Sequence, residues 1–206
     1  SVLNQYIGDP TNPGSKIDNG ADNFNYDWVN QASYSFSVNN DHHFNLLAVQ
    51  EFLKNTTTTY SLSKKGFASG NLSTQDNGAA NDGTNTTTKQ DYSLFSLFGE
   101  VDYNYKERYL ASASFRRDGS SRFGSNHKYG NFYSASVGWN IAKEAFMNEV
   151  NWINLLKFRA SIGTAGNYNI GNYQSQGLFG FGKYADILAS LPTQIANPDL
   201  TWEKAR

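Results

Sequence analysis

Apolar and polar residues alternate along this chain in runs of about ten, and this alternation constrains the fold more than any other feature of the sequence. A period of two places successive side chains on opposite faces of a β-strand, whereas an amphipathic helix needs a period of 3.6. The predicted strands are residues 32–38, 44–52, 93–105, 109–116, 133–141 and 156–164, with the start of another at residues 200–203. The chain is therefore predicted to be all-β, with antiparallel neighbours joined in chain order.

The predicted connections alternate between short turns and long loops. Residues 39–41 and 106–108 are predicted to be tight turns, whereas residues 53–91, 117–130 and 167–198 are predicted to be polar loops. Short turns at one end and long loops at the other, around spans of about 9–11 residues, are typical of outer-membrane barrels. The predicted fold is a segment of an up-and-down transmembrane β-barrel with about six strands and the start of a seventh. It is incomplete on its own, because even the smallest barrel needs about eight strands.

Composition narrows the choice of function. The chain combines 15% aromatic residues with only 38% hydrophobic residues, which suits thin sheets with two unlike faces. Its 17 basic and 18 acidic residues give a net charge of −1, so nothing favours a nucleic-acid partner. No run approaches the roughly 20 apolar residues of a helical membrane span. The start lacks the pattern of a signal peptide, and the chain is expected to begin within a longer protein.

A soluble β-sandwich is the main alternative, because its strands alternate in the same way. The two folds differ in where the apolar face lies. In a membrane wall that face contacts lipid and is exposed in the protein alone, whereas a sandwich buries it between two sheets. The residues that decide between them are Tyr34, Phe36, Phe95, Leu97, Val101, Tyr103, Ala113, Phe115, Val137, Trp139, Phe158 and Ile162.

No pattern in the sequence indicates catalysis, a metal site or a cofactor. Asp118-Gly119-Ser120-Ser121 lacks the spacing of a nucleophile elbow, and we interpret it as a turn motif in which Gly119 supplies unusual backbone angles. His42 and His43 are adjacent in a predicted strand and would point to opposite faces, so they cannot bind one metal together.

Several segments resemble the SusC/RagA group of TonB-dependent receptors. The most specific is residues 106–124, which contains KERYL followed by ASFRRDGSSRFG. Further segments similar to the same group follow in the same order: SVGWNI (136–141), LKFRASIG (156–163) with Gly166-Asn167, and NPDLTWE (197–203). The resemblance covers residues 27–206 best, and it implies that residues 1–206 form part of one barrel domain whose plug domain lies elsewhere.

The resemblance implies that the parent protein is not an enzyme and imports a bulky nutrient, a glycan or a peptide, across the outer membrane of a Gram-negative bacterium. The expected partners are outer-membrane lipid, a SusD-like surface lipoprotein that closes over the outer loops, and TonB, contacted through a missing N-terminal part. A soluble binding sandwich and an outer-membrane barrel hydrolase remain the alternatives.

The polar faces of the strands supply the candidate binding residues, which would line a hydrated lumen or its rim: Glu100, Asp102, Arg116, Arg122 and Arg159. An ordinary solvated sheet face would carry the same residue types. The loops at residues 53–91 and 167–198 are expected on the outer side, and aromatic residues are expected at the short-turn end: Tyr103, Tyr105, Tyr109 and Trp139.

Overall fold

The computed structural model describes residues 14–67, 71–72, 74–81, 83, 85–150, 152–184 and 187–205. These residues form antiparallel strands joined by turns and three short 3-10 helices. The strands are β1 (Gly14–Val38), β2 (His42–Phe67), β3 (Gly78–Asn81), β4 (Thr86–Tyr105), β5 (Tyr109–Ser120), β6 (Tyr129–Asn140), β7 (Lys157–Gly163), β8 (Ala165–Asn167), β9 (Leu178–Tyr184), β10 (Ile187–Gln194) and β11 (Glu203–Ala205). The 3-10 helices are Gln75–Asn77, Ile141–Lys143 and Ala145–Met147. Within the described ranges, no helix is long and apolar enough to span a membrane.

The main sheet has the up-and-down order that the sequence predicts. Its strands follow one another as β1-β2-β4-β5-β6-β7, with β3 paired to β2. The register runs from Leu94 opposite Ser120 to Tyr105 opposite Tyr109 between β4 and β5. The predicted all-β, antiparallel, up-and-down arrangement is therefore confirmed: six strands of the sheet follow one another in chain order, and the short β11 lies where the sequence predicts the start of a seventh. Among the described residues no pairing joins β1 to β7, so the sheet stays open.

Contacts divide the chain into two compact units. The first unit comprises Ser1–Asn25 and Asn55–Asp91, and the second comprises Tyr26–Lys54 and Tyr92–Arg206. The first unit contains β3 and one part each of β1, β2 and β4. The second unit contains the remaining parts of those strands and all of β5 to β11.

The apolar face of the second unit is exposed, as a membrane wall requires. Val137, Phe158 and Ile162 expose 56%, 58% and 76% of their surface. Of the twelve deciding residues, only Phe95 and Tyr103 are half-buried, and the others are exposed. Phe95, Val101, Val137 and Phe158 therefore do not form a closed core, and the soluble sandwich is excluded as the fold.

The core of the second unit is small and lies on its opposite, polar face. Phe132 is on the same face of β6 as Ser134 and Ser136, and it packs edge-on against Trp202 with 5.6 Å between ring centroids. Phe123 is 1% exposed and lies 4.6 Å from the Trp202 ring. This cluster joins the connection after β5 to the segment before β11.

The short turns lie together at one end of the second unit. Asn39 and Asn40 have φ of 51° and 55°, and Lys106 and Glu107 repeat these values, as the two central residues of a type I′ turn require. The Lys106 amide donates to the Asp41 carbonyl oxygen at 2.9 Å, so the two turns are neighbours. The structure places the predicted aromatic residues at this end, since Tyr105 pairs with Tyr109 and Tyr109 pairs with Trp139.

The prediction that residues 53–91 form one long loop is wrong for much of that segment. Strand β2 continues to Phe67 and β4 begins at Thr86. In the first unit, Asn55 donates its side-chain amide to Asn23 and Asn25 at 2.7 and 2.5 Å, and the hydroxyls of Thr59 and Thr88 are 2.6 Å apart. These cross-strand bonds join strands whose few apolar residues do not alternate regularly with polar ones, which is why hydrophobic alternation does not detect them.

Two further loop predictions need correction. The loop predicted at residues 117–130 is shorter, because β5 extends to Ser120 and β6 begins at Tyr129. Residues 167–198 contain the β9-β10 hairpin, in which Phe181 pairs with Ser190. In both places, strand pairing with a neighbouring strand overrides the loop preference of a local sequence rich in Gly, Asn and Ser.

Candidate functional site

The polar face of the second unit is built by alternate residues of adjacent strands. The hydroxyls of Ser112 and Ser136 are 2.7 Å apart, and those of Ser114 and Ser134 are also 2.7 Å apart. These pairs join β5 to β6 across the sheet. Charged residues lie on the same face as these hydroxyl groups, which can bind water or a polar ligand.

Two of the predicted residues, Asp102 and Arg159, are brought together near the short-turn end. They line a cavity of about 570 Å³ on the polar face. Lys157, Asn45 and Ser161 line it as well. Carboxylate, ammonium, guanidinium, amide and hydroxyl groups therefore share one open concavity. Glu100 lies opposite Ser114 on the same face and is half-buried, but it is not among the residues that line this cavity.

Arg116 is the centre of an ionic cluster nearer the other end of β5. Its Nε donates to both carboxylate oxygens of Asp118, at 2.7 and 2.8 Å. Its Nη2 donates to Ser96 Oγ at 3.1 Å and lies 3.8 Å from Glu51 Oε2. Three adjacent strands, β2, β4 and β5, thus contribute to one cluster.

A second cavity, of about 330 Å³, adjoins this cluster, and we call it the Arg116 pocket. Its polar lining is supplied by Arg116, Asp118, Ser96 and Thr164, and its aromatic lining by Phe132, Tyr168 and Trp202. The Phe123-Phe132-Trp202 core supports the aromatic side, since Phe132 and Trp202 are each 6% exposed.

Arg122, the fifth predicted residue, does not join the others. Its guanidinium carbon lies 3.9 Å from the centroid of the Tyr92 ring, and its Nε donates to Asn172 Oδ1 at 2.8 Å. A further N–H donates to the Tyr168 carbonyl oxygen at 3.4 Å. Through these contacts, Arg122 holds the connection after β8 against β4.

The Asp118–Ser121 segment has only part of its predicted role. The Ser120 hydroxyl accepts the local backbone amide of Arg122 at 3.2 Å, whereas the Ser121 hydroxyl accepts the amide of Ser93 on β4 at 2.9 Å. Gly119, however, is not in a turn: it lies in β5 opposite Phe95 and Tyr129. The prediction that Gly119 supplies unusual backbone angles is wrong. The Tyr129 ring lies over Gly119, so a Cβ at this position would be 2.5 Å from the ring and the ring would have to move.

The histidines point as predicted. His42 Nδ1 is 2.8 Å from the Tyr103 hydroxyl on the apolar face, whereas His43 Nδ1 is 2.7 Å from the Ser37 hydroxyl on the polar face. Over the described parts of the chain, no group of three or more His, Asp or Glu residues is placed to hold a metal ion.

Sequence reasoning missed Glu51, Asp118 and Tyr168 as members of the site. Glu51 is an even number of residues from Asn45 on β2, so their side chains point to the same face of the strand. This spacing could have assigned Glu51 to the polar face. Tyr168 follows β8 in an irregular segment, and no periodic signal could have placed it beside Trp202, whose ring centroid is 6.4 Å away.

The chain matches known proteins over nearly its whole length. A family model described as TonB dependent receptor-like, beta-barrel, matches residues 2–206. TonB-dependent receptor P26 of Formosa agariphila is 32% identical over 186 residues, which is 84% of this chain and 18% of that protein. TonB-dependent receptor SusC of Bacteroides thetaiotaomicron is 37% identical over 123 residues, which is 54% of this chain and 12% of that protein.

Solved structures agree with these sequence matches. A chain of the RagAB peptide transporter has a TM-score of 0.87 and 31% identity, covering 95% of this chain and 22% of that chain. The RagAB peptide importer in its open-open state also has a TM-score of 0.87, with 30% identity over 98% of this chain and 22% of that chain. The chain thus spans less than a quarter of the length of these proteins.

Proposed function

Because the chain belongs to the TonB-dependent receptor-like β-barrel family, we propose that it forms wall strands and outer connections of a full-length outer-membrane importer. In this proposal residues 1–206 lie within one barrel domain, and the plug domain lies elsewhere in the full-length receptor. The cargo is a bulky nutrient, either a glycan or a peptide. The chain itself contributes transport surface, not catalysis.

One observation carries the proposal. The sheet of the second unit has an exposed apolar face, with Val137 and Phe158 more than half exposed, and a polar face that bears Asp102, Arg116 and Arg159. Lipid is the solvent that fits the first face, and a hydrated lumen fits the second.

The proposed partners follow from the same family membership. TonB would deliver energy through a segment of the full-length receptor outside this chain, and a SusD-like surface lipoprotein would close over the outer connections. The RagAB structures are described as those of a peptide transporter, and their likeness to this chain supports import as the activity. The connections at residues 71–81 and 168–177 are proposed to lie on the outer side, because they are at the opposite ends of their strands from the short turns.

An outer-membrane hydrolase is the other activity that a barrel could carry. The serines of the Asp118–Ser121 segment bond backbone amides, so nothing in their contacts favours a nucleophilic role. Transport is accordingly the function that we propose.

The test uses the gene of the full-length receptor in the bacterium that encodes it. Deleting the gene should abolish growth on one neutral glycan, acidic glycan or peptide mixture supplied as sole carbon source, and leave growth on glucose intact. Removing the TonB-contacting segment should give the same defect while the protein remains in the outer membrane. Normal growth of the deletion strain on every nutrient, or recovery of the protein in the soluble fraction, would contradict the proposal.

A further inference from the structure

The Arg116 pocket is large enough for one small ring and lies on the polar face of the sheet. Its volume of about 330 Å³ is at the lower end of the range of small-molecule sites, about 300–1,000 Å³. Strands β4, β5 and β6 supply one side, through Ser96, Arg116 and Phe132. The segment after β7 and the segment before β11 supply the other, through Thr164, Tyr168 and Trp202.

The charges around the pocket balance one another. The Arg116 guanidinium is opposed by the carboxylates of Asp118 and Glu51. The Arg122 guanidinium lies 5.9 Å from the ring centroid of Tyr168, which lines the pocket. Two positive and two negative groups leave no excess charge to attract an ionic ligand, so a neutral ligand fits the pocket best.

The polar groups suit neighbouring hydroxyls. The Asp118 carboxylate only accepts hydrogen bonds, and the Arg116 guanidinium only donates them, from five N–H groups in one plane. Each hydroxyl of a ligand can both donate and accept. One hydroxyl of a vicinal pair can therefore donate to Asp118 while the next accepts from Arg116, and both bonds involve a charged group and are stronger than neutral ones.

The aromatic side of the pocket is rigid before any ligand arrives. Trp202 donates its indole N–H to the Lys128 carbonyl oxygen at 3.1 Å and packs against Phe123 and Phe132. Tyr168 packs edge-on against Trp202 and leaves 41% of its surface exposed. A sugar ring has hydroxyls at its edge and C–H groups on its faces, so it can bond to the ionic cluster and pack on an aromatic wall at once.

From these features we propose that the Arg116 pocket binds one ring of an uncharged oligosaccharide. The inference rests on the proposed importer function, because a lumen-facing pocket meets cargo only in a protein that admits it. It goes beyond that function by choosing a neutral glycan over a peptide or an acidic glycan as the cargo.

The test measures binding to the purified full-length receptor in detergent, together with its lipoprotein if the two copurify. The receptor is incubated with neutral oligosaccharides of starch, mannan, xylan and galactan, with oligogalacturonates, and with a tryptic digest of casein, and bound molecules are identified by native mass spectrometry. Wild-type receptor should retain at least one neutral oligosaccharide. Retention of oligogalacturonates or peptides alone would overturn the inference, as would retention of nothing.

Matched variants assign the binding to the pocket. Asp118→Asn removes the carboxylate without changing its shape and should weaken binding of the retained oligosaccharide about tenfold, the cost expected for a lost hydrogen bond to a charged group. Tyr168→Ala should weaken it further than Tyr168→Phe, which keeps the ring. Asp41→Asn changes a carboxylate at the short-turn end and should leave the affinity unchanged. Equal affinity in wild type, Asp118→Asn and Tyr168→Ala would overturn the inference even if neutral oligosaccharides bind.

Two controls separate this inference from the proposed import. Each variant is checked for folding by its resistance to unfolding in SDS without heating. If Asp118→Asn or Tyr168→Ala misfolds, Ser96→Ala, which removes one pocket hydroxyl, is used in its place. Binding of neutral oligosaccharides through Asp118, with growth independent of TonB, would contradict import alone. TonB-dependent growth on peptides, unaffected by Asp118→Asn, would contradict the sugar site alone.

Discussion

Glu144 illustrates how one side chain can organise the short-turn end. It is 8% exposed and accepts the Trp139 indole N–H at 2.9 Å, while Arg108 Nη1 lies 3.3 Å from its other oxygen. The pKa of Glu144 is held below its ordinary value, first by a hydrogen bond from Tyr109 and then by those from Trp139 and Arg108. The segment after β6 is thereby fastened to the start of β5.

The lowered pKa of Glu144 predicts acid sensitivity at this end. A carboxyl with a lower pKa in the folded state contributes stability that is fully present above its unfolded-state pKa. That contribution is lost as the pH falls from about 4.5 through the lower folded-state pKa. Thermal unfolding of the full-length receptor, followed by tryptophan fluorescence between pH 3 and pH 7, should therefore depend less on pH in Glu144→Gln than in wild type. Glu149→Gln, at an exposed glutamate nearby, should keep the wild-type profile, and an identical profile for Glu144→Gln would refute the assignment.

Gly124 shows a different constraint on a single residue. Its amide donates to the Leu200 carbonyl oxygen at 2.9 Å, and the amide of Asn126 donates to that of Pro198 at 3.1 Å. These bonds connect two segments that the sequence singled out separately, residues 106–124 and 197–203. A Cβ on Gly124 would clash with the backbone of Pro198.

Substitution of Gly124 should loosen the connection between these two segments. Gly124→Ala is expected to destabilise the receptor by about 1–3 kcal/mol, the usual cost of forcing an extra carbon into a packed site. Gly182→Ala is the matched control, because a Cβ there has open space around it, and it should be neutral or slightly stabilising. Urea unfolding monitored by tryptophan fluorescence provides the measurement. Similar midpoints for the two variants would show that the Gly124 contact does not limit stability.

At this scale the sequence predicted side-chain direction well and side-chain contacts poorly. The alternation of side chains along a strand correctly predicted that His42 and His43 point to opposite faces and that Arg116 lies on the polar face. It could not reveal that Asp118 pairs with Arg116, because an Asp-Gly pair is a strong local signal for a turn. The pairing of β5 with β4 and β6 overrides that signal and keeps Gly119 extended.

Among the strands, prediction succeeded where one face is apolar. The bounds of β5, β6 and β7 agree with the predicted runs to within a few residues, because alternation there reflects contact with two unlike environments. It failed for the parts of β1 and β2 in the first unit, where Asn23, Asn55 and Thr59 occupy strand positions. Neither face is apolar there, so a composition typical of loops conceals paired strands.

The two faces of β4 provide a direct test of the membrane assignment. Val101 is on the exposed apolar face and Asp102 is on the polar face next to it in sequence. Val101→Arg should reduce the amount of folded receptor in the outer membrane, because an arginine on the lipid face near mid-membrane costs about 2–4 kcal/mol. Asp102→Asn should assemble normally, since a lumen face accepts polar groups of any charge. Outer-membrane fractionation and unheated SDS gels measure both, and normal assembly of Val101→Arg would refute the lipid-facing assignment.

For the whole chain, each of the two units has polar side-chain contacts of its own. The polar face of the second unit carries ionic groups, including Glu51, Arg116 and Lys157. The first unit contains the Lys16–Asp18 ion pair, together with amide and hydroxyl pairs such as Asn55 with Asn23 and Thr59 with Thr88. Its strands are therefore joined by polar side-chain bonds in addition to their backbone pairing.

If the part of the first unit that connects β2 to β4 serves binding and not assembly, it should be removable. The hydroxyls of Thr59 and Thr88 are 2.6 Å apart, so residues 60–87 can be deleted and the two threonines joined by an Asn-Gly turn, which matches the twist of paired strands. The shortened receptor should assemble in the outer membrane as wild type does. Its uptake of the nutrient, or its copurification with the lipoprotein, should fall about tenfold, equivalent to about 1.4 kcal/mol of lost interaction.

The control for this deletion keeps the segment and removes the threonine pair, through Thr59→Val with Thr88→Val. This double variant should retain both uptake and lipoprotein binding, because valine also favours paired strands. A deletion that folds normally and retains full uptake and full lipoprotein binding would contradict a binding role for the first unit. A deletion that fails to assemble would contradict the view that this unit is separable from the wall, since the strands of the second unit have their own pairing from Leu94–Ser120 to Asn140–Lys157.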